Sequence, residues 1–404
     1  MKIPFSPPYN DPDVEAEVLD ALRSGWITTG PKVKALEQAV CQYVNVPATL
    51  GVNSATSGMM LALHWFGVTR GDEVIVPAYT YCATALSVMH IGAKPVMVDV
   101  CGDFNIDLKA IEAAITPKTK AIVPVDFAGW PCDYDGLNAL VKREDIKAQF
   151  VPKGEQQDTL GRILIMSDAA HSYGARYKGK LTGSLADITV FSFHAVKNLT
   201  TAEGGCICLN MPAPFDNEAI YKTMRLWSLN GQNKDAFSKS QAGGWRYDVV
   251  YPGFKMNMPD ICAAIGLAQM RKYEGFLLQE RKRVFDYYST AFAQQTWAWI
   301  PPYNVAGSAS SYHLYPLRIK NITEAQRDLI IEKIAETGVA VNVHFIPMPM
   351  LTVFKNMGFN IADYPVTYRN YAAEISLPIY PQLTEEECGY IVTSVVGSVM
   401  AVVS

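Results

Sequence analysis

Ser192-Phe-His-Ala-Val-Lys-Asn-Leu-Thr-Thr-Ala-Glu-Gly-Gly205 sets one lysine, Lys197, between an apolar strand and a glycine turn. Upstream, Ile188-Thr-Val-Phe191 is rich in β-branched and aromatic residues, which predicts a buried strand whose end delivers the lysine to a sheet edge. Downstream, Gly204-Gly205 and Cys206-Ile-Cys-Leu209 predict a turn into another strand. An amine held where water is partly excluded loses preference for its charged form and can attack a carbonyl to make a Schiff base. A lysine taken at random is more often a solvated surface group, so the neighbouring stretches decide.

Two of them do. Ile163-Leu-Ile-Met-Ser-Asp168 is an apolar strand ending in a carboxylate, followed by Ala169-Ala-His-Ser-Tyr-Gly174. Both Asp168 and Lys197 can therefore project from neighbouring strand ends toward one point, where a carboxylate facing a pyridine nitrogen would keep it protonated. Alone, Asp168 reads better as a turn cap. Asn53-Ser-Ala-Thr-Ser-Gly58 precedes the apolar run Met59 to Phe66, so small and hydroxyl residues sit where a helix begins and its free amides point outward. Such an end is an ordinary N-cap or a phosphate cradle, to which Ser192 adds a hydroxyl.

With these stretches in place, the chain resembles the DegT/DnrJ/EryC1/StrS family of pyridoxal phosphate sugar aminotransferases over nearly its whole length. The resemblance rests on Trp26-Ile-Thr-Thr-Gly-Pro31, Gly71-Asp-Glu-Val-Ile-Val-Pro77 with Tyr79-Thr-Tyr-Cys-Ala-Thr84, Asp168-Ala-Ala-His171, Ser192-Phe-His-Ala-Val-Lys197, and Gly253-Phe-Lys-Met-Asn-Met-Pro-Asp260, all in one order. It implies an aspartate-aminotransferase-like α/β fold (fold type I), with a large cofactor domain over 1–258 and a smaller α+β domain over 259–404. It implies pyridoxal 5′-phosphate as cofactor. Lys197 matches the Schiff-base lysine and Asp168 the carboxylate on the pyridine nitrogen. Ala55, Thr56 and Ser192 match the phosphate cradle, Tyr81 the aromatic stacked on the ring, and His171 a residue near the ring and its phenolic oxygen. Asn257 matches an asparagine reaching the phosphate from the neighbouring subunit of a homodimer with shared sites; the reading from the residues alone is a helix-entry turn with that side chain facing water. Thr28 and Thr29 are substrate candidates or a helix N-cap, and His344 is a substrate candidate.

Three departures from the family pattern stand out. Gly58 and Met59 replace the usual alanine and leucine, Pro349 replaces a second histidine after His344, and Glu144 to Gly161 inserts a polar segment before the strand ending at Asp168. That segment is expected to be an exposed loop near the site mouth.

The implied reaction moves an amino group, from glutamate, to the keto carbon of a nucleotide-linked 4-keto-6-deoxy sugar, UDP-linked, for surface polysaccharide synthesis. A 3-keto sugar aminotransferase is the alternative within the class, and a noncatalytic or regulatory protein keeping the fold is the alternative outside it. The intact Lys197 and Asp168 count against the second. A net charge of −4 leaves no basic footprint for nucleic acid, and no window reads as a membrane span. The cysteines form no CxxC pair and the histidines no ligand spacing, so no metal is expected. The start, Met1-Lys-Ile-Pro-Phe-Ser-Pro-Pro8, lacks a signal-like apolar core, which places the expected site of action in the cytoplasm.

From Asn53 onward helices and strands alternate, predicting a mostly parallel sheet covered on both faces. Further along, the spacing predicts one long helix over Pro259–Tyr288, strands over Tyr312–Ile319 and Ala340–Val343, and a last helix over Glu385–Met400. A polar loop is expected over Asn233–Asp248.

Overall fold

The computed structural model describes residues 1–234 and 245–403, so much of the loop expected over Asn233–Asp248 lies outside the described residues. Its centre is a sheet of seven strands: β1 (Ala48–Val52), β2 (Glu73–Pro77), β3 (Lys94–Val98), β4 (Thr119–Ile122), β5 (Leu164–Asp168), β8 (Ile188–Ser192) and β9 (Gly205–Leu209), in spatial order β1-β9-β8-β5-β4-β2-β3. Only β9 runs against the others. β5 and β8 are parallel in the register Met166↔Ile188, Ser167↔Thr189 and Asp168↔Val190. Parallel register puts both carboxyl ends on one edge, so Asp168 and the segment leading to Lys197 leave the sheet side by side, as the sequence implied.

The helices around this sheet follow from local signals. α1 (Pro12–Arg23) starts with proline at its first position, and the Asp11 side chain accepts from the Val14 amide at 3.1 Å. α2 (Pro31–Val44) also opens on proline, but its cap comes from far along the chain. Asp260 accepts from the amides of Gly30 (2.8 Å), Lys32 (3.0 Å) and Val33 (3.0 Å). α3 (Ala55–Trp65) is capped by Ser54, whose hydroxyl accepts from the Ser57 amide at 3.1 Å. α4 (Ala83–His90), α5 (Leu108–Ala114) and α6 (Tyr134–Lys142) continue the alternation.

The insertion is not a loop at the site mouth. It carries the short helices α7 (Glu144–Lys147) and α8 (Glu155–Leu160), and it is pinned at the amino ends of the strands. Lys153 bonds Asp72, immediately before β2, at 2.6 Å, and the buried Gln157 amide donates to the Phe66 carbonyl at 3.0 Å. The reason is topological. A segment that precedes a strand of a parallel sheet must emerge at that strand's amino end, opposite the edge where Asp168 points.

Past β5, the short strands β6 (Arg176–Tyr177) and β7 (Lys180–Leu181) join a small sheet completed by β11 (Asn304–Val305) and β12 (Ser308–Ala309). α9 (Asn217–Ser228) follows β9. The single long helix expected over Pro259–Tyr288 is two, α10 (Asp260–Met270) and α11 (Leu278–Phe292), joined by a wider π turn over Tyr273–Leu277. α10 packs on α1 and α2, whereas α11 belongs to the second layer. There β10 (Ala298–Trp299), β13 (Tyr315–Ile319) and β14 (Glu374–Leu377) make a three-stranded antiparallel sheet. It is covered by α12 (Glu324–Glu336), which has a Thr323/Gln326 capping box. α13 (Thr352–Lys355) and α14 (Pro365–Ala373) link this layer to β14.

Two expectations fail here. Ala340–Val343 forms no strand but only a bridge between Asn342 and Ser376, because proline-rich chain follows and leaves no room for a ladder. Contrary to the expectation of no such run, α15 (Glu385–Val403) is long and apolar enough to cross a membrane by length and composition. In this fold its apolar residues Ile391, Val395 and Val399 are buried, at helical spacing, and the helix packs on α11 and α12.

Because Gln157 anchors the insertion far from the strand edge that holds Lys197, Gln157→Ala should lower unfolding free energy by about 1–3 kcal/mol. Cofactor affinity should be unchanged. Chemical denaturation together with a cofactor titration checks both halves.

Candidate active site

At the carboxyl edge of the sheet lies a cavity of about 520 Å³. Its wall includes eight residues singled out from sequence: Ala55, Thr56, Tyr81, Asp168, His171, Ser192, Lys197 and His344. These come from five separated stretches, so the fold assembles what the motifs only implied.

The Lys197 amine makes no hydrogen bond or ion pair among the described residues. Burial pushes its pKa down to about 8, while the charge of Asp168 opposes that shift. Asp168, 5 % exposed, is held by two donors. The Thr84 hydroxyl donates to Oδ2 at 2.7 Å and the Ala170 amide to Oδ1 at 3.2 Å. Burial nevertheless raises its pKa, against the opposing effects of Thr84, the Ala170 amide and Lys197.

The start of α3 supplies an anion cradle. Ser54 satisfies the amides of Ser57 and Gly58; the amides of Ala55 and Thr56, at the first helical positions, have no intrahelical acceptor. Ser54, Ala55, Thr56, Ser192 and Gly204 all line the cavity. A side chain at Gly205 would come within 2.8 Å of the Ala55 nitrogen and 2.7 Å of the Phe191 carbonyl. Glycine there lets β9 and the helix start approach closely. Opposed to this cradle, Tyr81 is 59 % exposed on the cavity wall, its ring centre 5.7 Å from that of Phe345.

Three histidines close the remaining side, all kept neutral by burial. His171 Nδ1 accepts from the Ala128 amide at 3.3 Å, which leaves its proton on Nε2. His313, 4.4 Å away between ring centres, bonds Asn198 Oδ1 through Nδ1 at 2.9 Å. His344 bonds Ser376 through Nδ1 at 3.0 Å and stacks on Phe5 at 5.4 Å.

These groups fit pyridoxal 5′-phosphate: an unpartnered amine for its aldehyde, a buried carboxylate for its ring nitrogen, and free amides with hydroxyls for its phosphate.

Thr28, Thr29 and Asn257 do not line the cavity of their own chain. The Thr29 hydroxyl donates to the Met258 carbonyl and accepts from Asn257 Nδ2, both at 2.6 Å, and Lys255 donates to Asn257 Oδ1 at 2.6 Å. Asn257 therefore has partners in its own chain, which corrects the expectation of a side chain facing water. Its backbone pairs with Val52, directly ahead of the cradle. Sequence reasoning missed Phe5, Ser6, Thr84, His313, Asn342 and Phe345. Thr84 was within reach, since it closes the motif that begins at Tyr79; the others come from distant segments with no local signature.

Competitive amine labelling of the cofactor-free protein should give Lys197 a midpoint near pH 8, below the range of surface lysines. Asp168→Asn should move that midpoint further down, because it removes the charge that favours the ammonium. A Lys197 midpoint in the ordinary lysine range would contradict the burial argument.

Comparison with known proteins agrees with this geometry. The family model described as the DegT/DnrJ/EryC1/StrS aminotransferase family matches residues 8–150 and 157–396, the gap falling inside the insertion. The chain is 34% identical over 398 residues to the spore coat polysaccharide biosynthesis protein SpsC of Bacillus subtilis, covering 97% of this chain and 96% of that one. Its structure is similar to the sugar aminotransferase Spr1654 of Streptococcus pneumoniae in its PMP form, with TM-score 0.95 and 45% identity over 99% of this chain and 100% of that one. The PLP form of the same protein is similar at TM-score 0.95. PseC of Helicobacter pylori, an aminotransferase involved in the biosynthesis of pseudoaminic acid, is similar at TM-score 0.87 and 29% identity, over 99% of this chain and 100% of that one.

Proposed function

The chain belongs to the DegT/DnrJ/EryC1/StrS aminotransferase family, and from that premise we propose that it transfers an amino group from glutamate to the keto carbon of a nucleotide-linked 4-keto-6-deoxy sugar. The nucleotide in this reading is UDP, the product feeds surface polysaccharide synthesis, and the reaction runs in the cytoplasm. The single observation that carries the catalytic part is Lys197, a partly buried amine without a partner among the described residues, beside a buried carboxylate at the edge of a parallel sheet. The polysaccharide role is supported by the name of SpsC. The eight unpaired cysteines suit a reducing compartment.

When bound, pyridoxal 5′-phosphate acts as an electron sink and carries the amino group between donor and acceptor. The protein's residues divide the remaining tasks. Lys197 Nζ is the amine that would anchor the cofactor's aldehyde and, when free, would serve as the base for the donor's α-proton. In the second half it returns a proton to the sugar carbon. Asp168 would keep the pyridine nitrogen protonated, and the Ala55 and Thr56 amides with Ser192 would hold the phosphate. Tyr81, on the cavity wall, would offer its ring as a stacking surface. His171, neutral with its proton on Nε2, would offer a hydrogen-bond donor.

Borohydride treatment of the holoenzyme should fix the cofactor to Lys197, located by peptide mass. Label on Lys178 or Lys180 instead would remove the assignment. Glutamate alone should then release one 2-oxoglutarate per site, and Lys197→Ala should lower turnover by roughly 10²–10⁴-fold or more. A panel of keto-sugar nucleotides with carbon assignment by NMR decides the position, and amination at carbon 3 would move the reading to a 3-keto sugar. Cofactor binding without any transfer from an amino donor would favour a noncatalytic protein.

We take the active unit to be a homodimer in which Asn257 of each chain serves the partner's phosphate site. Asn257 lies off its own cavity wall, and Ile27, Trp245, Val249 and Val250, in the segments around it, are more than half exposed. Apolar surface of that kind marks association. Mixing Lys197→Ala with Asn257→Ala chains should restore activity, since one site of each mixed dimer would carry neither lesion. No recovery after subunit exchange would count against shared sites.

A further inference from the structure

His344 presents its ring to the cavity, yet what holds that ring lies behind it, on the second sheet. The Asn342 and Ser376 backbones exchange two hydrogen bonds, 3.1 Å and 2.7 Å, which fix the approach to His344 against β14. The His344 amide donates to Glu374 Oε2 at 3.1 Å. Its Nδ1 meets the Ser376 hydroxyl at 3.0 Å, and that hydroxyl also bonds Glu374 Oε1. Glu374 is fully buried. Neither Glu374 nor Ser376 lines the cavity, so neither is a catalytic residue, and the reaction outlined above does not use them.

We propose that Glu374 and Ser376 are positioning residues that set which proton His344 shows to the substrate: a protonated Glu374 makes His344 Nε2 a donor, and an ionised Glu374 makes it an acceptor. The argument is a count of hydrogens. Ser376 has one hydroxyl proton and two neighbours. With Glu374 ionised, Ser376 donates to Oε1, so it accepts from Nδ1–H and leaves Nε2 bare. With Glu374 protonated, the carboxyl O–H donates to Ser376, Ser376 donates to Nδ1, and the ring proton must sit on Nε2. Passing from the second state to the first moves three protons one place each. The Nε2 proton leaves into the cavity, the Ser376 proton goes to Nδ1, and the Glu374 proton goes to Ser376. One proton is released and His344 stays neutral in both end states, as its burial and the nearby Lys197 require.

Glu374 holds its proton into the working range. Burial pushes its pKa up to about 8, against Ser376, the His344 amide, Arg327 and Arg318, which all favour the ionised form. Arg327 on α12 spends Nη1 on the carbonyls of Tyr371 and Glu374. Arg318 on β13 spends its own on Asn370 and lies between the rings of Phe104 and Trp299. The other titratable neighbours are the Tyr79 phenol, at the end of the β2 strand, and His344 itself. Neither guanidinium forms an ion pair with the Glu374 carboxyl. A keto oxygen of the substrate needs a donor and a sugar hydroxyl accepts either partner, so the relay matters most for the ketone. This last step rests on the proposed function; the relay itself does not.

The test is ¹⁵N NMR of histidine-labelled holoenzyme from pH 6 to 10. The His344 ring should change from the Nε2–H to the Nδ1–H form with a midpoint near 8, and the infrared carbonyl band of a protonated carboxyl should vanish with it. Glu374→Gln, whose amide can still donate to Ser376, should hold Nε2–H throughout and lack that infrared band. It should also flatten the alkaline limb of kcat while leaving cofactor affinity within about twofold. Ser376→Ala should uncouple the ring from Glu374, so that the infrared midpoint survives and the tautomer change does not. One tautomer across the whole range in the unmodified enzyme, or an unchanged midpoint in Glu374→Gln, would overturn the proposal. If the midpoint is present but no keto sugar is aminated, the functional reading fails and the relay stands.

Discussion

A lysine and an aspartate share one buried cavity without forming an ion pair, and most of the active-site architecture follows from keeping them so. Burial makes each charge costly, in opposite directions: it lowers the Lys197 pKa and raises that of Asp168. Had the two side chains met, each would have stabilised the other's charge and the amine would have been a poor nucleophile. The parallel pairing of β5 and β8 brings both to one edge, and Thr84 and the Ala170 amide engage the carboxylate in place of the lysine. The space between them matches a ligand that needs an amine at one end and a carboxylate at the other.

One side of the cavity is completed by neutral rings. His171, His313 and His344 are all neutral, and their ring contacts with Phe127, Phe5 and Phe345 give that side a dry, polarisable wall. Neutral imidazoles donate or accept according to what binds their far nitrogen, so the direction of each ring is set from outside the cavity. For His171 that partner is a backbone amide and cannot change. For His313 it is Asn198, one residue after Lys197, which ties the second layer to the lysine loop.

Much of this was legible in the sequence, for physical reasons that differ by element. Asp168 and Ser192 sit at strand ends and Lys197 in the turn that follows Ser192; strand ends are readable because apolar β-branched runs stop at them. The cradle at Ser54-Ala-Thr was readable as a helix start, though only the packing of Gly205 against it distinguishes a site from an ordinary cap. Thr28 and Thr29 lie off the cavity of their own chain because their motif is tied to another: the Asp260 cap on α2 and the Thr29 bond to Met258 join two stretches by structure. The insertion was located in sequence but put at the wrong end, since position along the chain says nothing of direction until the strand it feeds is oriented. The split between α10 and α11 is marked only by Gly275, with neither proline nor a capping box, and periodicity ran through it. Glu374 and Ser376 lie in a short buried strand and acquire meaning only when His344 arrives beside them.

The amino-terminal segment carries a consequence for the order in which the molecule is made. Ile3 pairs with the backbone at Gly338 and Ala340, and Phe5 stacks on His344. One wall of the cavity is thus closed by residues more than three hundred positions apart in the chain. Contacts of such separation form late, after the chain has already paid the entropy of collapse elsewhere. On the ribosome, the seven-stranded sheet, complete by Leu209, has all its strands long before His344 emerges. In chain order, Lys197 and Asp168 precede His344 by well over a hundred residues, so the groups that hold the cofactor are made before the wall that encloses them.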